Sequence, residues 1–330
     1  MRVPQTIRDS VVYIYDTTGL LGTGFLVGVP LDEGSDRVFL YVITAKHLVD
    51  YSSSVIVSLN GRSGEAIKIA TEKANWWFSA NAAADVAIAF LPGNADAFSP
   101  TCVRFDQLGD DEWMAQRDVG PGDEVIFTGL LQGLPGKDRN RPIIRFGQIA
   151  MMNEELIPQE TIGGDVQDID AIMVEARSWG GHSGAPAYVV FSPTRYMGTL
   201  ELVKQPVVKP RTAWALLGLV AGHWELPARI RLRNQPRGDN RDRERDALVN
   251  AGIALVVPAQ HIVDLLMRDD VLEHRERMRR QESDLRPVAV QDSIQEPREQ
   301  GLTQAEFRKA LRRVSRKQSS RPARSKRRRR

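Results

Sequence analysis

Apolar residues in this chain come in short, strand-length runs, each bounded by glycine, proline, charge or a polar cluster. In the first third the runs are Val11–Tyr15, Gly24–Val29, Val38–Thr44, Ser54–Leu59, Ala66–Ala70 and Val86–Leu91. They are rich in β-branched and aromatic residues, which pack well on a pleated surface and predict strands. Short strands at this spacing predict a small β-barrel. Residues 106–121 are acidic and contain glycine, and read as a link. A second series follows: Glu124–Thr128, Ile143–Met151, Ala171–Glu175, Pro186–Val190, Ala215–Ala221 and Gly252–Val257. Pro258 then opens a helix, with Ile262, Leu265 and Leu266 at helical spacing.

Other stretches break the strand rhythm. Residues 192–213 lengthen a hairpin, and 225–248 read as a long Arg-rich surface loop. Residues 268–283 are charged and extend the C-terminal helix, which puts His261 and His274 at the surface. Residues 284–301 read as a polar linker. Thr303-Gln304-Ala305-Glu306 forms a capping box for a short helix, and 315–330 are too charged to fold alone.

Composition adds limits. With 42% apolar and 26% charged residues over 330 positions, the chain can build a real core in one large or two ordinary domains. No apolar stretch approaches the ~18 residues of a membrane span, and the N-terminus lacks a signal-peptide apolar region. Cys102 is the only cysteine, so no intrachain disulfide forms; beside Val103 and Phe105 it reads as a small core residue rather than a reactive thiol. These features together lead us to expect a cytoplasmic protein. The overall charge of +3 hides an asymmetry: residues 301–330 carry a net +12, leaving −9 on the other 300.

Three segments carry candidate chemistry: Thr44-Ala45-Lys46-His47 at the end of an apolar run, Asp85-Val86-Ala87-Ile88-Ala89-Phe90, and Gly180-Gly181-His182-Ser183-Gly184-Ala185-Pro186. A serine hydroxyl is a weak nucleophile that needs a base to take its proton, and imidazole titrates near neutrality. A lone serine between glycines is usually a turn, and a lone histidine or aspartate is usually structural. Together, in the order His, Asp, Ser, they resemble the trypsin- and chymotrypsin-like serine peptidases, particularly the bacterial, disulfide-free members. Gly22-Thr23-Gly24-Phe25-Leu26-Val27, Gly122-Asp123-Glu124-Val125, Arg145-Phe146-Gly147-Gln148-Ile149 and Gly252-Ile253-Ala254-Leu255-Val256-Val257-Pro258 are similar to that family's supporting strands, so the resemblance spans roughly residues 8–268.

The resemblance implies an all-β fold of two six-stranded antiparallel β-barrels, residues 1–108 and 109–268, with a closing C-terminal helix and a disordered basic tail within 269–330. It implies a serine endopeptidase working through an acyl-enzyme, with His47 as base, Asp85 orienting it and Ser183 as nucleophile. The backbone N–H groups of Gly181 and Ser183 are the implied oxyanion hole. Arg177, Ser178 and Trp179, then Val220, Ala221, Gly222 and His223, are the implied substrate pocket. Arg177 at the pocket floor favours an acidic side chain; turned to solvent, it leaves a small neutral pocket. His223 either touches substrate or caps a strand beside Trp224. The chain departs from the animal relatives at His182, where they carry the aspartate that pairs with a new N-terminus after cleavage; that activation route is absent, and the loop is ordered some other way or by substrate. His182 itself is a poor candidate base, because adjacent side chains in such a turn point apart.

No His/Cys cluster has zinc spacing and no glycine-rich segment carries the Lys-Ser/Thr of a phosphate loop, so no metal or organic cofactor is expected. The expected partners are a polypeptide substrate and an activating protein. Residues 308–330 add non-specific nucleic acid or an acidic surface, bound through charge alone and without base readout. Two other readings stay open: a catalytically silent binding module that keeps the fold, and a nucleic-acid-associated protein that acts through its tail.

Overall fold

Strand β1 (Val11–Asp16) shows how the molecule is built, because both its faces are apolar and they serve different cores. Val12 and Ile14 point into a sheet interior with Leu26, Leu40, Val42, Val55, Val57 and Cys102. Val11 and Tyr13 point the other way and meet Leu130 of the second sheet. The same division holds for β2 (Gly19–Pro30) and β3 (Val38–Thr44). Phe25, Val27, Phe39, Tyr41 and Ile43 lie outside the sheet interior, in a shared core with Tyr188, Leu216, Leu255 and Val257. This double burial explains why these strands read as continuous apolar runs and not as strict alternation.

The computed structural model describes residues 3–32, 35, 37–61, 64–92, 101–131, 133–160, 166–176, 182–191, 214–231 and 244–280, with backbone alone at 160, 225–231 and 244–249. The linker and basic tail therefore lie outside the described residues, as does the insertion at 192–213.

The first sheet adds β4 (Ser54–Asn60), β5 (Ala66–Glu72), β6 (Trp76–Phe78), β7 (Ala87–Phe90) and β8 (Val103–Arg104). Its order is β5-β4-β1-β2-β3-β7-β6, with β8 parallel to β2 through Val27↔Val103 and Gly28↔Arg104. The expected first six-stranded barrel is thus an eight-stranded sheet curled into a half-barrel. The two short strands β6 and β8 make the difference. Two helices belong to this half: α1 (Gln5–Asp9) and α2 (Lys46–Val49).

A short helix, α3 (Asp111–Gln116), capped by the Asp110 carboxylate on Trp113 N–H, occupies the acidic link. The second half contains β9 (Glu124–Gly129), β10 (Ile143–Met151), β11 (Ile157–Glu160), β12 (Val166–Ile169), β13 (Ile172–Glu175), β14 (Pro186–Val190), β15 (Trp214–Arg231) and β16 (Glu244–Pro258). Six of these close a barrel in the order β10-β13-β16-β15-β14-β9, as expected, and β11 and β12 form a separate hairpin. The stretch 225–248, expected as a loop, instead carries β15 and β16 on as an antiparallel ribbon out to Arg231↔Glu244. Its charged composition shows no strand periodicity, which is why the sequence reads as a loop there.

Helix α4 (Ala259–Leu266) follows Pro258 and buries Ala259, Ile262, Leu265 and Leu266, as its spacing predicts. The charged segment is not a continuation of it: α5 (Asp269–Arg280) starts afresh after Met267 and Arg268. Asp269 and Asp270 open α5, and Arg277, Arg279 and Arg280 close it, in keeping with the helix dipole. It lies against the first sheet. His274 meets Trp77 and Phe90 edge-on, both at 5.1 Å between ring centroids, and the Arg275 guanidinium sits 6.0 Å from the Tyr41 ring. His274 is therefore a packing residue, not a surface one, and burial with Arg277 and Arg275 nearby pushes its imidazole below the ordinary value.

Cys102 is fully buried, and a side chain on Gly28 would come within 2.7 Å of its sulfur. Burial pushes its thiol up to about 12. We expect no labelling by a thiol reagent at pH 8 until denaturant unfolds the protein, as a colorimetric thiol assay will show. Because folding disfavours the thiolate, the contribution of this site to stability is intact below the thiol's ordinary 9.0 and is lost as pH rises from there towards about 12.

Candidate active site

Strands β3 and β7 pair antiparallel with Thr44 opposite Ala87. The chain leaving β3 and the chain entering β7 therefore meet at one edge. Ala45, fully buried, leads into α2, which carries His47; Asp85 lies just before β7. The Asp85 carboxylate holds His47 at two points. One oxygen accepts the His47 backbone N–H at 2.9 Å, and the other accepts Nδ1–H at 2.6 Å. The backbone bond places the residue, and the ring bond sets its orientation and tautomer, leaving Nε2 with its lone pair. The imidazole is 32% exposed and the carboxylate 18%, so the ring is reachable while its partner is more shielded.

Ser183 stands in a turn between buried neighbours, His182 and Gly184, and is itself part-exposed. Gly184 has φ +80°, in the left-handed region where glycine is favoured. A Cβ there would sit 2.0 Å from the Thr23 carbonyl oxygen and 2.4 Å from Thr44 Oγ1. The turn is tied on both sides. Gly184 N–H donates to Val220 O at 2.7 Å, Val220 N–H to Ala185 O at 2.8 Å, and Ala185 N–H to His182 O at 2.8 Å. On the other side Thr23 N–H donates to Ser183 O at 2.9 Å, and Thr44 Oγ–H donates to Thr23 O at 2.7 Å. Thr44 is three residues before His47. The Ser183 turn is thus fastened to the end of the strand that leads to His47. Among the described contacts no hydrogen bond joins Ser183 to His47; such bonds commonly tighten only when substrate is present.

His182 is 2% exposed, and its Nε2 accepts from Arg145 Nε at 3.2 Å. An acceptor at that nitrogen is the neutral imidazole, so the site of the missing aspartate holds an uncharged ring against a guanidinium. Desolvation pushes the Arg145 guanidinium below its ordinary value.

The other expected site residues divide. Gly181, Arg177, Ser178 and Trp179 lie outside the described residues. The Val220 side chain is buried in the second barrel's core, and what it offers the site is its backbone. His223 is half-buried on β15 opposite Ala254. Thr23 and Thr44 lie inside the Gly22–Val27 and Thr44–His47 motifs, whose residues do not signal the ties the two threonines make. Gln159 is outside every motif; its amide nitrogen lies 2.8 Å from where a Gly222 Cβ would be. Nothing in the local sequence signals that approach, which comes from the β11–β12 hairpin folding over β15. His261, expected at the surface, pairs through Nε2 with the Asp170 carboxylate at 2.7 Å and is 11% exposed. Among the described residues no group of three or more His, Cys, Asp or Glu is placed to hold a metal ion.

Gly184→Ala adds a Cβ into backbone at a left-handed φ. We expect it to cost about 3 kcal/mol or more and to unseat Ser183, read by chemical denaturation and by loss of labelling with a serine-directed probe.

No protein-family model and no curated protein matches the sequence. Solved structures do resemble it. The MamO protease domain from Magnetospirillum magneticum, in its apo form, is 17% identical with a TM-score of 0.44, covering 80% of this chain and 98% of its own. The active form of the Rv3671c protease from M. tuberculosis is 19% identical with a TM-score of 0.42, covering 79% and 81%. Human heparin binding protein is 9% identical with a TM-score of 0.44, covering 83% and 95%. These identities are low and every TM-score is below 0.5, so the three are resemblances alone. The chain's own architecture is mostly β: a curled half-barrel sheet, a closed six-stranded barrel and C-terminal helices.

Proposed function

We propose that the protein is a serine endopeptidase that hydrolyses peptide bonds through an acyl-enzyme, with His47, Asp85 and Ser183 as its triad. The observation that carries this reading is the two-point hold of Asp85 on His47, at an edge to which the Ser183 turn is bonded through Thr23 and Thr44. On this reading residues 1–108 and 109–268 are the two catalytic domains and 269–330 a C-terminal extension. With Cys102 buried and unpaired, the proposed place of work is the reducing cytoplasm.

Ser183 Oγ attacks the substrate carbonyl carbon while His47 Nε2 takes its proton. The carbonyl π electrons move to oxygen, and the oxyanion is met by backbone N–H groups, for which Gly181 and Ser183 are the candidates. The imidazolium is stabilised by the Asp85 carboxylate on Nδ1–H. Collapse of the tetrahedral intermediate expels the amine, which takes the proton from Nε2 and leaves Ser183 acylated. Water then attacks the ester with His47 again as base, releasing the acid and restoring Ser183. No part of this requires a metal or organic cofactor.

Labelling with a fluorophosphonate probe tests the reading. The wild type is expected to label, and Ser183→Ala and His47→Ala to lose labelling. Asp85→Asn, which presents the wrong partner to Nδ1–H, is expected to lower turnover of a peptide substrate by about 10⁴-fold with the fold intact. A folded wild-type protein that does not label at any pH between 6 and 9 supports the catalytically silent binding module instead.

A further inference from the structure

Asp85 is presented by the loop from Ser79 to Val86, and that loop is gripped from outside its own sheet. Asp170 donates its backbone N–H to Ala83 O at 2.9 Å, and Gln167 Nε2 donates to Ala82 O at 2.7 Å. Arg268, between α4 and α5, donates from Nη1 to Phe78 O at 2.6 Å. Inside the loop, Ala83 N–H donates to Asn81 Oδ1 at 3.0 Å and Val86 N–H to Ala84 O at 2.9 Å, so the backbone is braced on both sides of Asp85. Ala83, the residue gripped from outside, stands two residues before Asp85.

Asp170 is fixed in turn. Its neighbours Ile169 and Ala171 are buried, which sets its backbone. One carboxylate oxygen accepts from Asn153 Nδ2 at 2.8 Å and the other from His261 Nε2 at 2.7 Å. His261 stands among acids. Burial raises the Asp111 carboxyl, repulsion from Asp170 and Asp264 adds to the rise, His261 offsets part of it, and Asp110 lies nearby. Removing the imidazole leaves Asp170 facing other carboxylates with one donor fewer. The consequence falls on the backbone that holds Ala83.

We propose that Asp170 and His261 are positioning residues that hold the Asp85 loop, and through it set the hold of Asp85 on His47. The inference rests on the triad reading for its effect on rate, but not for its geometry. It gives α4 of the second half a grip on the acid of the first.

A double-mutant cycle separates positioning from general stability. Misplacement of a reacting group by a fraction of an ångström costs rate and not affinity, so His261→Phe is expected to lower kcat roughly ten-fold with KM nearly unchanged. In an Asp85→Ala background the same change is expected to cost nothing further. His261→Gln, which keeps an N–H donor for Asp170, restores the rate. Additive losses, or a KM effect alone, overturn the proposal. A second measurement needs no activity. In Ser183→Ala protein, the low-field NMR resonance of the His47 Nδ1 proton is expected to shift or broaden with His261→Phe and to stay with His261→Gln. An unmoved resonance in folded His261→Phe overturns the proposal, whereas wild-type protein that fails to label overturns only the peptidase reading. If His261→Phe does not fold, Gln167→Ala and Asn153→Ala loosen the same loop one contact at a time and carry the same expectations.

Discussion

Thr23 gives its backbone N–H to the Ser183 carbonyl and takes the Thr44 hydroxyl on its own carbonyl, and at this corner the two β-structures share a single frame. Its side-chain oxygen also accepts the Leu130 N–H at 3.0 Å. None of these bonds is strong in net terms, at about 1 kcal/mol each. Their force is in the alternative. Thr23 and Thr44 are fully buried, so a displaced turn leaves polar groups without partners in a dry place, at about 1–3 kcal/mol apiece. The apolar core between the halves supplies the adhesion, and this corner supplies the registration. Adhesion alone leaves two greasy faces free to slide by a side chain; hydrogen bonds with one geometry do not.

Two histidine–carboxylate pairs in the molecule show what exposure decides. The Nδ1–Oδ2 distance of 2.6 Å at His47–Asp85 and the Nε2–Oδ2 distance of 2.7 Å at His261–Asp170 are nearly equal. The first imidazole is about three times as exposed as the second, at 32% against 11%. The first pair also bonds through Nδ1, turning Nε2 outward, while the second spends Nε2 on its partner. The same two residue types therefore give a part-exposed ring with Nε2 outside the pair in one place, and a largely enclosed tie in the other. Chemistry is assigned by which nitrogen is left free and what can reach it, and not by the presence of the pair.

Much of this was legible in the residues. Val38–Thr44, Ile143–Met151 and Pro186–Val190 stand as strands with the bounds their patterns gave, because each is apolar on both faces or bounded by sharp turn residues. The His-Asp-Ser order pointed to segments of which two pair directly. What was not legible has physical causes. Strands β6 and β8 have three and two residues, too short for any period to show. The β15–β16 ribbon is charged where it leaves the barrel, and polar antiparallel pairing has no hydrophobic signature. His261 lies on α4 and His274 in the charged α5, and both read as surface residues, yet one finds a carboxylate and the other two aromatic edges. Partners from distant sequence decide burial for such residues, and no local window contains them.

His182, buried beside Ser183, is held through Nε2 by the Arg145 guanidinium. An acid buried next to the nucleophile needs a cation to offset its desolvation, and so makes the turn depend on that cation arriving. A neutral imidazole costs less to bury and needs only a donor, which Arg145 supplies from β10, a strand of the same barrel. The guanidinium is partly desolvated, which pushes it below its ordinary value. Arg145 lies on β10 and His182 in the turn before β14, so the contact ties one strand of the closed barrel to the turn that leads into another.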